Sequence, residues 1–228
     1  MKRTNHLSTS LLGLAALVGG AASALAADAP SLGTAAKFAV LSAATGNRGA
    51  VTCTDSSLKG NIGSSGYRPA VVQTRCALRG SVTAPVATRV LADFGRGYDA
   101  LQANTCQRIL TGTLAGISLA PGVYCFDAAA ALTGTLTLNG PATGVWIFLV
   151  NGDLTGNTFS TVMAGSGQPC NVYWGSSGAT TMTTSNLKGN VLAGQAITLT
   201  GGSFVGRALA RQAVTMTTVA ATGCGDSF

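Results

Sequence analysis

Threonine is placed at regular intervals near the C-terminal end of the sequence. The segments 179–183, 196–200 and 213–217 share the pattern Ala-x-Thr-x-Thr and follow one another at a spacing of 17 residues. A threonine side chain carries an apolar methyl group and a hydroxyl that both donates and accepts, and its β-branch restricts χ1. Repeated in register, such side chains would bind through many weak contacts at once.

The alternation within each segment predicts which side chains face outward. Apolar residues such as Ile197 and Leu199 fall on one side of the strand and the threonines on the other. The threonines then form two columns, Thr181, Thr198 and Thr215 in the first and Thr183, Thr200 and Thr217 in the second. The less regular pairs Leu132-Thr133 and Leu154-Thr155 are interpreted as continuing the first column.

The ionisable side chains exclude most enzyme chemistry. All seven acidic residues are Asp, and the single histidine, His6, lies in the N-terminal segment that we interpret as a leader. Without His or Glu, a Ser-His-Asp triad, a His-ligated zinc and a Glu acid or base are unavailable. Asp127 and Asp153 are far apart in sequence and are typical of tight turns. We therefore expect no enzyme, no metal site and no cofactor.

The first 26 residues have the features of a secretory signal peptide. Lys2 and Arg3 precede an apolar stretch, which ends in the cleavage pattern Ala24-Leu25-Ala26. A membrane anchor is the alternative, but the apolar run is too short to span a bilayer. Cleavage would leave a single domain, 27–228, that is extracellular or periplasmic and does not insert into a membrane.

Charge patterning argues against a nucleic-acid partner. The net charge of +7 falls to about +5 when Lys2 and Arg3 are removed with the leader. The remaining basic residues are dispersed and do not alternate with aromatic residues, as a nucleic-acid groove would require.

Six cysteines remain after residue 26, which favours disulfides in an exported protein. Fifteen pairings are open. The sequential pairing is our choice because each pair flanks one segment or closes the end of the chain: Cys53–Cys76, Cys106–Cys125 and Cys170–Cys224.

The 17-residue repeat predicts a mainly β fold, a triangular β-solenoid. Seventeen residues are too few for a strand, a crossover helix and a return, but they suffice for three short strands and three corners. The middle segment differs, because apolar residues at helical spacing predict an α-helix over about 85–102, with Pro85 in its first turn. We expect that helix to pack on a solenoid face lined by small outward residues, such as the strands Val191-Leu192-Ala193 and Ala208-Leu209-Ala210.

Five motifs in order resemble the microbial ice-binding family with a DUF3494 domain. They cover nearly all of the chain after the leader, and each is weak alone but specific in combination. They are Leu32-Gly33-Thr34-Ala35-Ala36-Lys37-Phe38-Ala39-Val40-Leu41, Pro121-Gly122-Val123-Tyr124, Leu132-Thr133-Gly134-Thr135-Leu136-Thr137-Leu138, Cys170-Asn171-Val172-Tyr173-Trp174 and Gly206-Arg207-Ala208-Leu209-Ala210.

The resemblance implies a right-handed, discontinuous β-solenoid with one long helix parallel to its axis and with the first and last coils adjacent in space. It also implies a flat face that adsorbs to ice without cofactor or metal, giving thermal hysteresis or inhibition of recrystallisation. In several family members that face carries Thr-Gly/Ala-x-Thr/Asn, and Thr155-Gly156-Asn157-Thr158 matches this pattern. Thr180 departs from the pattern of its neighbours, since it occupies an apolar slot.

Two choices remain open at this point. The Thr-x-Thr columns are the first choice for an ice-binding surface on a monomer, and the adjoining surface of Thr155, Thr158 and Ser203 is the second. The alternative function is an envelope or matrix adhesion module that binds polysaccharide or protein on the same fold. An uncharged, unbroken threonine array favours ice, whereas interrupting charges or exposed aromatic side chains favour adhesion.

Overall fold

The computed structural model describes residues 27–225, which form twenty strands and one α-helix. The predicted leader and its cleavage site lie outside the described residues. The strands and the helix are β1 Phe38–Ser42, β2 Val51–Thr54, β3 Ser57–Lys59, β4 Asn61–Ser64, β5 Val71–Thr74, β6 Ala77–Arg79, β7 Val82–Thr83, α1 Thr88–Gln102, β8 Arg108–Ile109, β9 Ser118–Leu119, β10 Gly122–Phe126, β11 Ala130–Gly140, β12 Trp146–Val150, β13 Leu154–Gly165, β14 Val172–Ser176, β15 Thr180–Lys188, β16 Asn190–Ala193, β17 Ile197–Val205, β18 Ala208–Ala210, β19 Val214–Thr217 and β20 Ala220–Thr222. Three short 3₁₀-helices, at Gly33–Lys37, Arg68–Ala70 and Pro169–Asn171, lie between strands.

The strands form three parallel faces of a solenoid. Face A is the sheet β7-β4-β1-β18-β16-β14-β12-β10-β8. The long strands β11, β13, β15 and β17 each bend once, so that their first halves join β5, β2 and β19 to form face B. Their second halves join β9, β20, β3 and β6 to form face C. The triangular β-solenoid predicted from the 17-residue repeat is confirmed.

The order of the coils in space differs from their order in sequence. The last coil, β18 to β20, pairs on one side with β16 and β17 and on the other with the first coil, since β18 pairs β1, β19 pairs β2 and β20 pairs β3. The adjacency of the first and last coils, which the family resemblance implied, is thus present.

Each coil turns from face B to face C at a residue with a positive φ, and on β17 a second one, Gly202, follows it. These corner residues are Arg75, Asp55, Thr218, Gly201, Thr184, Thr158 and Gly134, with φ between 49° and 69°. Glycine adopts this left-handed conformation without a steric penalty, whereas a β-branched residue there is strained. The threonine corners therefore need a reason other than backbone preference.

Stacked apolar side chains fill the interior. Trp146, Phe148 and Trp174 are fully buried, and the rings of Phe148 and Trp174 stack with centroids 4.0 Å apart. The indole N–H of Trp174 donates to the carbonyl of Lys188 at 3.0 Å, so its polar atom is satisfied. Such packing makes the coils a stiff support for whatever faces outward.

Helix α1 covers face A. Phe94 and Leu101 are buried against that sheet together with Leu192 and Leu209, which lie in the two segments predicted to receive the helix. The helix begins at Thr88, so the prediction that Pro85 lies in its first turn is wrong. Gly97 faces the segment before β1, where an added Cβ would lie 2.9 Å from a Leu32 side-chain carbon.

Asp93 of α1 joins the 3₁₀-helix Gly33–Lys37 to α1 through hydrogen bonds. Its buried carboxylate accepts the backbone N–H of Thr34 at 2.7 Å as well as the Thr34 hydroxyl, and it pairs with Arg96. The hydrogen bond from the Thr34 hydroxyl, followed by that from the Thr34 N–H, holds the pKa of this carboxyl below its usual range.

Three disulfides join the six cysteines as predicted, at Cys53–Cys76, Cys106–Cys125 and Cys170–Cys224. The first ties β2 to the end coil, and the third ties Cys224 to the 3₁₀-helix Pro169–Asn171 before β14. Within residues 27–225, no helix is long and apolar enough to cross a bilayer.

Candidate functional site

The two predicted threonine columns lie side by side on face B. Thr181, Thr198 and Thr215 pair with one another in register on β15, β17 and β19, as do Thr183, Thr200 and Thr217. Neighbouring parallel strands are about 4.8 Å apart, and alternate residues on a strand about 6.6 Å. The six threonines therefore form a two-dimensional array.

The structure extends both columns with residues that the sequence pattern missed. Thr52 pairs with Thr215 and Thr54 with Thr217, because β2 lies beside β19. At the other end, Thr155 pairs with Thr181, so that its place in the first column is confirmed. The signal was present, since Val51-Thr52-Cys53-Thr54 repeats the pattern of Val214-Thr215-Met216-Thr217, but it lies about 160 residues away in sequence.

The assignment of Thr133 to the first column is wrong. Ala131 is the residue opposite Thr155, and the pairing of β11 with β13 shifts between Leu132 and Gly134. This β-bulge leaves Thr133 beside the second column, out of register with it. The first column therefore runs from Thr155 on β13 to Thr52 on β2, and the second runs from Thr183 on β15 to Thr54 on β2, next to Thr74 on β5.

Buried side chains fix the array from below. Ile197 and Leu199 alternate with the threonines of β17 and point into the core. Thr180 occupies the inward position between Leu154 and Ile197, where the neighbouring strands have apolar residues. Its hydroxyl lies 2.9 Å from the Ser176 hydroxyl, so the two buried hydroxyls form a hydrogen bond with each other.

The outward hydroxyls of β15, β17, β19 and β2 are free to bind water. Within the described residues, these eight threonine hydroxyls have no side-chain or backbone hydrogen-bond partner; they are Thr181, Thr183, Thr198, Thr200, Thr215, Thr217, Thr52 and Thr54. The Thr155 hydroxyl differs, since it donates to the carbonyl of Ala130 at 3.2 Å.

No ionisable side chain stands within the array, in the part of the chain that the structure describes. At the B–C corner beside the array, Asp55 and Arg75 form an ion pair with each other, and at the opposite edge the Asp153 carboxylate precedes Thr155 by two residues. A hydrogen bond from Arg75 lowers the pKa of the Asp55 carboxyl, so both groups stay charged and paired at neutral pH.

The second-choice surface is not a single surface. Thr155 belongs to face B, Thr158 lies at the B–C corner and Ser203 lies on face C. The Ser203 hydroxyl donates to the side-chain carbonyl of Asn186 at 2.8 Å. Thr158 stands with Thr184 and Thr218, which the sequence pattern also missed, as the exposed threonines of the corner.

Asp127 and Asp153, which were predicted to be turn residues, both lie in short connections between strands. The Asp153 carboxylate accepts the N–H of Ala179 at 2.8 Å, and the Asp127 carbonyl accepts the side-chain amide of Asn151 at 3.3 Å. Among residues 27–225, no three His, Cys, Asp or Glu side chains gather in a way that could hold a metal ion.

Comparison with known proteins gives a consistent result. The family model described as Ice-binding-like matches residues 4–222. An ice-binding protein of Nostoc sp. (strain HG1) is 34% identical over 200 residues, which cover 85% of this chain and 72% of that protein. Ice-binding protein K3-B1 of Typhula ishikariensis is 30% identical over 214 residues, covering 83% and 87%. The DUF3494 domain of Shewanella frigidimarina ice-binding protein_1 superposes with a TM-score of 0.77 at 26% identity and covers 89% of this chain and 100% of that one.

Proposed function

The chain belongs to the Ice-binding-like family, and we propose that it binds ice through face B. The binding residues are the paired threonines of β15, β17, β19 and β2 together with Thr155. The carrying observation is that these side chains stay in register over five adjacent strands with no charge among them.

The physical fit of face B to ice comes from what the array does to water. Its hydroxyls hold water at spacings of about 4.8 and 6.6 Å, on the scale of the oxygen repeats of an ice plane, and the methyl groups between them keep other water from competing. A charged side chain would orient its own hydration shell instead. Because each contact is weak, affinity requires many contacts from a backbone that loses little entropy on binding.

The corner threonines extend this surface. Thr158, Thr184 and Thr218 follow directly after Asn157, Thr183 and Thr217 in the chain and are exposed. They keep a strained φ, and the hydroxyls of Thr184 and Thr218 have no hydrogen-bond partner among the described residues. Strain of this kind is retained where it serves a function, and here it adds hydroxyls to the edge of the array.

The remaining expectations follow from membership of this family. We propose a non-enzymatic, exported protein that acts as a monomer and slows ice growth by adsorption, which gives thermal hysteresis and inhibits recrystallisation. The alternative of an adhesion module finds no support among the relatives, which are ice-binding proteins.

Partitioning into a slowly growing ice hemisphere tests the proposal. Wild-type protein should be enriched in the ice, whereas Thr198→Tyr should be excluded from it, because a tyrosine ring stands above the array. Asn186→Tyr places the same ring on face C and is the matched control, so it should partition like wild type. Exclusion of the wild type from the ice would refute ice binding. Equal partitioning of the wild type and both variants would show that face B is not the ice-binding surface.

A further inference from the structure

Face C carries a line of cations. Its outward second column reads Arg79, Lys59, Thr222, Val205, Lys188, Val162 and Thr137, as the pairing of β6, β3, β20, β17, β15, β13 and β11 shows. Arg79 and Lys59 are direct cross-strand neighbours, and Lys188 lies three strands further along the same column. The three positive charges therefore lie on one line parallel to the solenoid axis.

These cations are not neutralised within the described residues. The side chains of Lys59, Arg79 and Lys188 have no ion pair or hydrogen bond there, and no Asp lies in either outward column of face C. Two like charges placed directly opposite each other on neighbouring strands destabilise a sheet. Keeping Lys59 opposite Arg79 favours an external anion as their partner.

The column next to the cations offers hydrogen bonds. Its outward residues run Ala77, Ser57, Ala220, Ser203, Asn186, Ser160 and Thr135. Ala77 and Ala220 flank Ser57 and leave a shallow cavity of about 370 Å³, with Lys59 and Arg79 in its lining. Neutral hydroxyl and amide groups thus lie along one side of the cationic line.

We propose that face C binds a linear anionic polysaccharide whose chain runs along the solenoid axis. The acidic groups of the sugar units would pair with Arg79, Lys59 and Lys188, and the sugar hydroxyls would bond to the column of Ser57, Ser203 and Asn186. The outward columns contain no aromatic side chain on which a nucleic-acid base could stack. Val162 is the exposed large apolar residue in these columns, and one valine is a small apolar surface for insertion into a lipid membrane.

The geometry separates the two surfaces. Faces B and C meet at the corner residues and face different directions. A polysaccharide bound to face C therefore leaves the threonine array of face B uncovered. The protein would then display its ice-binding face from the surface of an anionic gel.

Affinity measurements with alginate, a linear polymer of uronic acids, test this on the full chain. Wild type should bind alginate at about 0.05 M salt, lose most of that binding by about 0.2 M, and not bind neutral dextran. The triple variant Lys59→Gln/Arg79→Gln/Lys188→Gln should bind alginate roughly tenfold to a hundredfold more weakly. Its partitioning into ice and its melting temperature should match wild type.

The control removes the same charge from other surfaces. Lys37→Gln/Arg48→Gln/Arg108→Gln also lowers the net charge by three, through exposed residues that lie off face C. It should bind alginate within about threefold of wild type. Equal weakening by the two triple variants would overturn the proposal in favour of net charge alone. Binding to phosphatidylglycerol vesicles but not to alginate would overturn it in favour of a lipid surface.

Discussion

Faces B and C share four long strands, one half of each strand lying in each face, yet their outward side chains differ in kind. On β15, the first half presents Thr181 and Thr183, and the second half presents Asn186 and Lys188. Both faces have the same strand spacing and the same stiff core beneath them. Regular geometry alone therefore does not distinguish an ice-binding face; the absence of charge and the repetition of threonine do.

A single charge on face B should have the largest effect. Thr198→Lys places an ammonium group at the centre of the array, where its hydration shell opposes an ice-like order of water. We expect thermal hysteresis to fall at least about tenfold while the free energy of unfolding changes by no more than about 0.5 kcal/mol, as is usual for surface sites. Thr137→Lys is the control, because it makes the same change on face C and should leave activity unaltered.

The fold was largely predictable because its signals are local or periodic. The 17-residue spacing gives coils, and apolar residues from Val90 to Leu101 give the helix, although its start was placed three residues too early. The disulfides followed from their order along the chain.

The candidate site was predictable only in part. Thr52 and Thr54 join the array through the pairing of the first coil with the last, a long-range contact that periodicity does not report. Thr133 was misplaced because a bulge shifts the register within β11. The corner threonines depend on φ, which a sequence pattern does not show for a non-glycine residue.

A corner substitution should separate stability from activity. Thr184→Gly relieves a β-branched residue at φ 49°, so the free energy of unfolding should rise by about 1 kcal/mol, while thermal hysteresis falls about twofold as one edge hydroxyl is lost. Gly201→Thr is the reciprocal change, since an added Cβ meets Thr184 at an ordinary 3.6 Å; it should lower stability and raise activity. Denaturant unfolding and thermal hysteresis of both variants measure these effects. Unchanged thermal hysteresis in both variants would show that the corner threonines do not belong to the ice-binding site.

The smallest effect on ice binding is expected from face A. The folded-state pKa of Asp93 is lowered, so its contribution to stability is present above the unfolded pKa of about 3.9 and is lost as pH falls through the lower folded value. Asp93→Asn should lower the melting temperature at pH 7, and the melting temperature of this variant should decrease less than that of the wild type as the pH is lowered. Thermal hysteresis at pH 7 should be unchanged. Asp127→Asn, which alters an exposed carboxylate, is the control. If the melting temperature of Asp93→Asn fell with decreasing pH as steeply as that of the wild type, the stabilising role of the Asp93 carboxylate would be contradicted.

Thermal hysteresis of wild type, Thr200→Tyr and Ser203→Tyr tests the central claim most directly. Both variants add the same ring to the same strand, β17, three residues apart, but on faces B and C respectively. We predict that Thr200→Tyr loses most of the wild-type hysteresis and that Ser203→Tyr keeps it. The reverse result, with activity lost only in Ser203→Tyr, would contradict the assignment of ice binding to face B.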